Sequence, residues 1–388
     1  MLAPRHSVEP IGKGIMRITA VRGWLVDIPL REPFVISRGA VHSFRNVVVE
    51  IETADGLVGH GEAVPVSLLG DPVAYLDTVR RDFAPLLLGR DSSDIEPLVD
   101  ALLALPGGVV TLAAAAGVDL ALWDLLGKRL GVPVSTLLGG RGEDGVLVDF
   151  TIGAATPEAM AETARLVVAD GFRGVVVKLA CRAVAEDLAR LRAVRAALPA
   201  EVTVRGDCNG GYNRDDALEL LRGLDGLDIE FVEQPVAAAD LEGLALCRGR
   251  GVRIAADESL STPADALRLV AAATCDVLNV KVPKAGGLLQ ARRVAAIAGA
   301  AGLPLVVGGG LSFGISRFAS QHLAASCGAA RGICHEGPGP ASQALSDDIT
   351  LPAVTRAPLR DHAGRMPVPT TPGLGFAIDR ARLARYAG

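Results

Sequence analysis

The chain has 388 residues, which is long for one ordinary domain and suits two. Half of its residues are hydrophobic and 21% are charged, so it can bury a large core and does not resemble a disordered protein. The net charge of −5 gives no reason to expect nucleic acid or an anionic membrane as a partner. A small anionic substrate is compatible with that charge, because local charge in a pocket decides such binding.

The cysteines and the hydropathy pattern predict a soluble, cytoplasmic protein. The six cysteines are scattered and form no CxxC pair, which suits a reduced protein better than a disulfide scaffold. The first residues, MLAPRHSVEPIGKG, lack the apolar core of a signal peptide. The longest apolar stretch, 294–311, is broken by glycines and a proline, so it predicts a buried helix and strand and not a membrane span.

The first 140 residues predict an α+β domain. Residues 17–63 alternate in the manner of two strand segments around a polar loop, and Asp55-Gly56 gives a hairpin signal inside the second segment. Residues 73–138 have apolar residues at three- and four-residue spacing, which predicts helices, the last long one ending at Gly131.

From about residue 145, short apolar strands alternate with helices rich in Ala, Leu and Arg. Eight such units at about 25-residue spacing match a (β/α)8 barrel. A doubly wound open sheet is the alternative, but no GxGxxG follows the first strand. We therefore predict an α/β fold, a (β/α)8 (TIM-like) barrel over 141–355, with a capping domain over 1–140 and a segment, 356–388, that returns to the cap. The strands are GVLVDFTIG, GVVVKL, VTVRGDCN, IEFVEQPV, VRIAADES, VLNVKV, LPLVVGG and GICHEG.

Functional side chains of a barrel lie at the carboxyl ends of its strands. Strands three, four and five are neighbours there, so Asp207, Glu233 and Asp257 can converge, and three oxygen ligands suit Mg²⁺ better than zinc. Strands two and six are half a barrel apart, which places Lys178 and Lys281 on opposite sides of that point. The other polar residues at strand ends are Asn209, Glu258, His335 and Glu336.

Each of these residues also has a purely structural explanation. A lone carboxylate after a strand is most often a helix N-cap, but carboxylates in three successive strands weaken that explanation. A lysine inside VVVKL or LNVKV is not easily a solvated residue, because burying it without a partner is costly. His335 and Glu336 fit loop capping or a salt bridge as well as a substrate contact.

Several motifs together resemble the enolase superfamily, and within it the mandelate racemase/muconate lactonizing enzyme subgroup. GLVGHGEA and VDLALWDLLGKRLGVPVSTLLGG are similar to its capping domain, and GDCN, VEQP, ADES and KVPKAGGL to consecutive barrel motifs. The resemblance covers nearly the whole chain. The five residues from Lys178 to Lys281 follow one another at 24 to 29 residues, as in the family.

This resemblance implies a mechanism and a cofactor. Asp207, Glu233 and Asp257 would bind an essential Mg²⁺, or Mn²⁺ in its place, and Lys178 and Lys281 would be the acid–base pair. The metal would neutralise the charge that grows on an enediolate when the proton next to a carboxylate is removed.

The resemblance also implies supporting residues and an assembly. Asn209 and Glu258 would support the metal site, and the loops 32–42 and 64–72 would form a lid over the barrel. The residues themselves, and not the resemblance, make Arg38 in the first loop, with His335 and Glu336 at the end of strand eight, the candidate contacts for a small-molecule carboxylate substrate. A homo-oligomer is expected, since most members of the superfamily assemble.

Three departures from the family pattern limit the substrate assignment. The strand-two motif is usually Lys-x-Lys, and Val176 replaces its first lysine. Strand seven commonly ends in Glu-Ser, whereas 308–313 reads GGGLSF. Dipeptide epimerases carry Asp-x-Asp after strand eight, where Cys334-His335-Glu336 offers one acid, so a standard dipeptide epimerase is not favoured.

Three functions remain open. A racemase or epimerase of an amino-acid derivative is favoured, because two opposed lysines can remove a proton from one face of a carbon and return one to the other. A lyase, either a cycloisomerase or a dehydratase, would use the same enediolate with one lysine as base and His335 as acid. A barrel that only binds is disfavoured by the complete set of lysines and carboxylates.

Overall fold

The computed structural model describes residues 15–36, 39–65, 70–142, 145–180, 183–337, 345–353, 359 and 363–388. Its strands are β1 (Ile18–Ile36), β2 (Gly39–Thr53), β3 (Val58–Ala63), β4 (Gly145–Ile152), β5 (Gly174–Lys178), β6 (Thr203–Asp207), β7 (Phe231–Glu233), β8 (Arg253–Ala256), β9 (Val277–Lys281), β10 (Leu305–Gly308), β11 (His335–Glu336), β12 (Thr350–Leu351), β13 (Arg365–Pro367) and β14 (Ala377–Ile378).

The helices alternate with these strands from β4 onward. They are α1 (Pro72–Asp77), α2 (Ala84–Leu87), α3 (Ile95–Leu103), α4 (Val109–Leu130), α5 (Val134–Leu137), α6 (Pro157–Ala169), α7 (Val184–Ala196), α8 (Arg214–Gly223), α9 (Leu241–Cys247), α10 (Pro263–Ala271), α11 (Val282–Ala285), α12 (Leu288–Ala300), α13 (Gly314–Ser326) and α14 (Arg380–Tyr386). A π-helical turn covers Thr78–Phe83, and a 3₁₀ turn covers Gly328–Ala330.

The N-terminal part is a three-stranded antiparallel sheet, in the order β1-β2-β3, covered by α4. Helix and sheet approach so closely that a Cβ atom at Gly61 would lie 1.8 Å from the carbonyl oxygen of Gly117. Gly56 lies in the β2–β3 turn with φ of 81°, as the hairpin signal predicted. The polar loop expected after residue 30 is instead largely strand, because Phe34 pairs with Val41 and so extends the β1–β2 ladder.

The second part is a sheet of eight parallel strands in the order β10-β9-β8-β7-β6-β5-β4-β11. The sheet curls until its two end strands, β10 and β11, lie side by side. All eight strands predicted from the sequence are present, and the predicted barrel with its cap is confirmed. The opening at the carboxyl ends of these strands is called the mouth below, and the junction of β10 with β11 is called the seam.

The C-terminal residues contact both parts of the molecule. β13 pairs antiparallel with β4, while α14 packs on β1. The Gly388 N–H donates to the Leu25 carbonyl oxygen at 2.9 Å, and Arg380 forms an ion pair of 2.5 Å with the buried carboxylate of Glu50. The return of the chain to the cap therefore agrees with the expected fold. The boundaries at residues 140 and 355 remain predictions.

Three buried carboxylates of the cap accept main-chain N–H groups from the rest of the chain, and we call them the junction carboxylates: Glu62, Asp119 and Asp124. Glu62 accepts the N–H groups of Phe313 and Ser316 at the start of α13, at 2.8 and 3.0 Å. Asp119 accepts those of Leu288 and Leu289 at the start of α12, and Asp124 accepts that of Leu374 at 2.9 Å. Helix N-termini favour carboxylate acceptors, which applies to Glu62 and Asp119. All three contacts fix the cap to an element of the barrel or to the C-terminal segment.

One helix in the described part of the chain, α4, is long and apolar enough to cross a membrane. The most apolar 18-residue stretch of this helix is 78% buried inside the protein, so α4 is packed as a core helix. The five cysteines among the described residues are all free, in line with the scattered pattern in the sequence.

Candidate active site

The strand register places the expected site residues at one end of the barrel. Lys178 is opposite Asp207 in the β5–β6 pair, and Asp207 is opposite Glu233 in the β6–β7 pair. Asp257 directly follows β8, and Lys281 ends β9. The structure thus brings five charged side chains to the mouth in the order lysine, three carboxylates, lysine, and their roles remain predictions.

Lys178 lies at one side of this row, with its side chain 13% exposed. Its ammonium donates to Asp207 Oδ2 and, at 3.2 Å, to Asn209 Oδ1. Asn209 in turn donates from Nδ2 to Asp207 Oδ2 at 3.1 Å and to Glu258 Oε1 at 3.2 Å. Burial opposes the charge on Lys178, but Asp207 raises the pKa of Lys178 above its ordinary value. Asn209 and Glu258 thus lie where a supporting role was expected.

Lys281 lies at the other side and donates to Asp257 Oδ2 at 2.8 Å. A third lysine, Lys284 in α11, donates to Asp257 Oδ1 and to the Asp257 carbonyl oxygen. Burial opposes ionisation of Asp257, but the two ammonium groups hold the pKa of Asp257 well below its usual range. Asp257 is therefore an anion with a cation at each oxygen.

Glu233 lies between the other two carboxylates. Its Oε1 accepts from Asn279 Nδ2 at 2.9 Å, and its side chain is buried. Burial, with the negative charges of Asp207 and Asp257 close by, raises the pKa of Glu233 well above its ordinary value. The cluster therefore contains mutual repulsion that its hydrogen bonds do not remove and that a cation would relieve.

The fit of this cluster to a metal ion can be judged from its oxygens. Among the described residues, no three acidic, His or Cys side chains are already grouped around one point, because Asp207 and Asp257 direct oxygens to lysines. A metal ion would have to displace the lysine ammonium groups that contact the carboxylate oxygens of Asp207 and Asp257. The donors nevertheless fit a hard cation, since all are carboxylate oxygens on neighbouring strands and Glu233 is destabilised as an anion by its neighbours.

His335 does not face a substrate. Its Nδ1 accepts the Val307 N–H at 3.1 Å, so the proton is on Nε2, which donates to the Ala330 carbonyl oxygen at 3.0 Å. Burial lowers the pKa of His335 to about 3, which leaves the ring neutral. The predictions that His335 contacts the substrate and acts as the acid of a lyase are therefore wrong, because both of its ring nitrogens bind main-chain groups at the seam.

Glu336 closes the same seam from the mouth side. Its Oε2 accepts the Gly309 N–H at 2.6 Å, and its Oε1 is 4.0 Å from Arg317 Nη2. Its side chain is 27% exposed, and its charge is among those that raise the pKa of Lys281. Glu336 thus combines a structural contact with a position near Lys281, so a substrate contact remains open for it.

The other expected features of the mouth are only partly described. Arg38 and residues 66–69 of the expected 64–72 loop lie outside the described residues. Val176, in place of the family's first lysine, is 8% exposed and lies two residues before Lys178 in β5. A Cβ atom at Gly308 would lie 2.3 Å from Asn279 Oδ1 and 2.9 Å from Lys281 Cε. Close packing around Lys281 thus explains the glycine at position 308.

Sequence reasoning missed two residues that contact the carboxylates. Asn279 precedes Lys281 by two residues and so faces the same side of β9, which is a signal that alternation could have given. Lys284 lies inside KVPKAGGL, the motif that drew attention to Lys281, and nothing in the motif distinguishes a buried second lysine from a solvated one.

A capped parallel barrel with opposed lysines beside buried carboxylates defines an acid–base enzyme of the (β/α)8 class. Residues 18–139 match the mandelate racemase/muconate lactonizing enzyme N-terminal domain, and residues 159–382 match the enolase C-terminal domain-like family. The chain therefore belongs to the mandelate racemase/muconate lactonizing enzyme family of the enolase superfamily.

Individual relatives resemble the chain over most of its length. The L-Lys-D/L-Arg epimerase of Methylococcus capsulatus is 38% identical over 93% of this chain and 99% of its own. Muconate cycloisomerase 1-2 of Acinetobacter lwoffii is 33% identical over 95% of each chain. The crystal structure of N-succinyl Arg/Lys racemase from Bacillus cereus superposes with a TM-score of 0.88, at 30% identity, over 96% of this chain and 98% of that one.

Membership of this family confirms several expectations. The chain is an enzyme of the enolase superfamily, with the isomerase chemistry of proton abstraction next to a carboxylate. The family is metal-dependent in general, and its members act on small-molecule carboxylates.

Proposed function

We propose that this chain is a racemase or epimerase that inverts the α-carbon of an amino-acid derivative, with Lys178 and Lys281 as its acid–base pair. The observation that carries the proposal is the position of the two lysines. They lie at opposite ends of one row of carboxylates, at the ends of the second and sixth barrel strands. A carbon held over the row would have one lysine on each face, which is what exchange of a proton between faces requires.

The proposed cofactor is Mg²⁺, with Mn²⁺ able to replace it. Asp207, Glu233 and Asp257 would hold it, supported by the contacts of Asn209 and Glu258. When bound, the ion would supply positive charge opposite the enediolate oxygens, which a lysine alone cannot do. The chain's own residues then move the proton: one amine takes it and the opposite ammonium returns another.

Derivatives of arginine and lysine are the substrates to test first. Two relatives are named for such compounds, the L-Lys-D/L-Arg epimerase and the N-succinyl Arg/Lys racemase. The carboxylate of Glu336 lies near Lys281 at the mouth and is only partly covered, which would suit a cationic substituent.

A homo-oligomer is also proposed, and sedimentation that shows only monomer at micromolar concentration would contradict it.

The decisive experiment follows α-proton exchange into D₂O by NMR. The library contains N-succinyl-arginine and -lysine, Lys-Arg and Ala-Glu dipeptides in both configurations, and muconate. We expect exchange with inversion for at least one arginine or lysine derivative. The variant in which both Lys178 and Lys281 are replaced by Met is the control and should show no exchange.

A lyase is the second candidate, since a muconate cycloisomerase resembles the chain over 95% of both lengths. Such an enzyme would form a ring or an alkene instead of an inverted centre. With both nitrogens of His335 used at the seam, the acid would have to be one of the two lysines. A new alkene or ring signal without inversion would replace the racemase proposal.

A further inference from the structure

Lys284 is a buried lysine that has no role in the proton transfer proposed for Lys178 and Lys281. It is 7% exposed and lies in α11, the single helical turn after Lys281. Of the three lysines at the carboxylates it has the least exposed side chain, at 9% against 13% for Lys178 and 21% for Lys281. A buried ammonium is costly unless it is well paired, so its partners indicate its purpose.

Both partners of Lys284 belong to one residue, Asp257. The ammonium donates to the main-chain carbonyl oxygen and to Oδ1 of the side chain. The Asp257 N–H is held as well, since it donates to Gln234 Oε1 at 3.0 Å. Two contacts on the same residue fix the side-chain dihedral angles of Asp257. They leave Oδ2, which now accepts from Lys281, as the oxygen directed to the mouth.

We propose that Lys284 is a positioning residue that holds the Asp257 carboxylate in one orientation, with a single oxygen available to a metal ion. This inference rests on the metal role that the proposed function gives to Asp257. Lys284 also leaves one positive charge beside Asp257 when a metal ion takes the place of the Lys281 ammonium at Oδ2.

The turn that carries Lys284 is itself fixed from the cap. Gly286 and Gly287 end α11 with φ of 90° and 110°, and a Cβ atom at Gly287 would lie 2.3 Å from Asp119 Oδ2. Asp119 accepts the N–H groups of the next two residues, Leu288 and Leu289. Asp119 therefore supports the same turn without touching Asp257, which makes it a matched control.

The test measures Mn²⁺ binding by calorimetry on the metal-free, full-length protein without substrate. Lys284→Met removes both contacts, and we expect Mn²⁺ to bind 10- to 100-fold more weakly, about the range found when the hydrogen-bond partner of a ligand is removed. Lys284→Arg keeps a charged donor and should lose less. Asp119→Asn should lower the melting temperature and leave the Mn²⁺ affinity unchanged.

The direction in which the Mn²⁺ affinity changes distinguishes a positioning role of Lys284 from a purely electrostatic one. If Lys284 acted only as a nearby positive charge, its removal would tighten Mn²⁺ binding, and tighter or unchanged binding in folded Lys284→Met would overturn the proposal. Equal weakening in Asp119→Asn would overturn it too, because general loosening of the turn would then explain both. Lys284→Gln takes the place of Lys284→Met if the latter does not fold. A wild-type protein that binds no Mn²⁺ would contradict the metal site of the proposed function itself.

Discussion

Lys178 and Asp207 are register partners in β5 and β6, and the ammonium of one lies against the carboxylate of the other. A lysine–carboxylate contact also occurs on the far side of the barrel, where Lys281 donates to Asp257, although Asp257 follows β8 and is not a register partner of Lys281. The two lysines are thus equivalent in chemistry and separated by three carboxylates. This arrangement allows each lysine to be tested separately.

Replacing one lysine should stop one half of the reaction. In a racemase, Lys178→Ala should abolish exchange from one enantiomer and leave measurable exchange from the other, and Lys281→Ala should do the reverse. The reason is that each amine reaches one face of the carbon, while the metal site still lowers the barrier in both variants. Deuterium incorporation measured separately for each enantiomer gives the result.

The same two variants distinguish the lyase. With a single base, one substitution would remove all exchange and the other would only slow turnover, through lost stabilisation of the enediolate. Equal residual exchange in both variants, for both enantiomers, would show that neither lysine is the base.

Removal of metal should abolish activity, and Mg²⁺ or Mn²⁺ should restore it. EDTA would leave the repulsion around Glu233 uncompensated and the enediolate without a cation. Asp207→Asn and Glu233→Gln should each weaken Mn²⁺ binding sharply, as measured by calorimetry. Glu162→Gln, which removes an exposed carboxylate on α6, is the control and should bind Mn²⁺ as the wild type does. Full activity in a metal-free preparation would refute the metal role.

Gly308→Ala should displace Lys281 and impair the half-reaction that Lys281 serves. The added methyl group would lie 2.9 Å from Lys281 Cε and 2.3 Å from Asn279 Oδ1, so one of them must move. A displacement on the order of 1 Å can reduce the rate about 100-fold. Gly299→Ala in α12 is the matched control, since no atom lies within 4 Å of the added carbon. It should keep full activity and gain up to about 1 kcal/mol of stability. Unchanged exchange in Gly308→Ala would show that the Lys281 position is not critical.

Acid should destabilise the fold through His322. Its Nδ1 accepts the Ser135 N–H, its Nε2 donates to the Leu374 carbonyl oxygen, and burial lowers the pKa of His322 from 6.5 to about 4. Because the unfolded chain takes up the proton first, the His322 contribution is complete above pH 6.5 and is lost as the pH falls toward 4, by about 2 kcal/mol between pH 7 and 5.

The measurement compares wild type with His322→Gln by urea unfolding at pH 7 and 5. The difference between the two proteins isolates the contribution of His322 from that of other groups. Asp119 is one such group: burial raises the pKa of Asp119 to about 7, so its contribution to stability changes with pH in the opposite direction. The difference in unfolding free energy should shrink at pH 5. A constant difference across this range would contradict the proposed neutral state of His322.

The barrel and the row of charges at its mouth could be predicted because both depend on short-range patterns. Apolar strands ending in a charged residue at regular spacing specify which side chains meet, since neighbouring strand ends lie together. Asp207 and Glu233 are such residues, and their register follows from the strand pairing alone.

The residues that the sequence did not reveal depend on contacts between distant segments. The role of His335 follows from the seam, where β11 meets β10, and no local pattern in CHEG indicates a ring held between Val307 and Ala330. Lys284 is similar, because its burial depends on how α11 packs against α4, α12 and α13. The composition around Phe34 predicts a loop, whereas the pairing of Phe34 with Val41 makes this segment a strand.

The junction carboxylates limit how such an enzyme can be recombined. Glu62 and Asp119 lie in the cap, but the N–H groups that they accept belong to α13 and α12 of the barrel. A chimaera that joins this cap to a foreign barrel would leave these carboxyl groups buried without donors wherever the new backbone differs by an ångström or two. Exchange of substrate-facing loops within one cap avoids that cost, so we expect new specificities in this scaffold to arise by loop replacement and not by shuffling of whole domains.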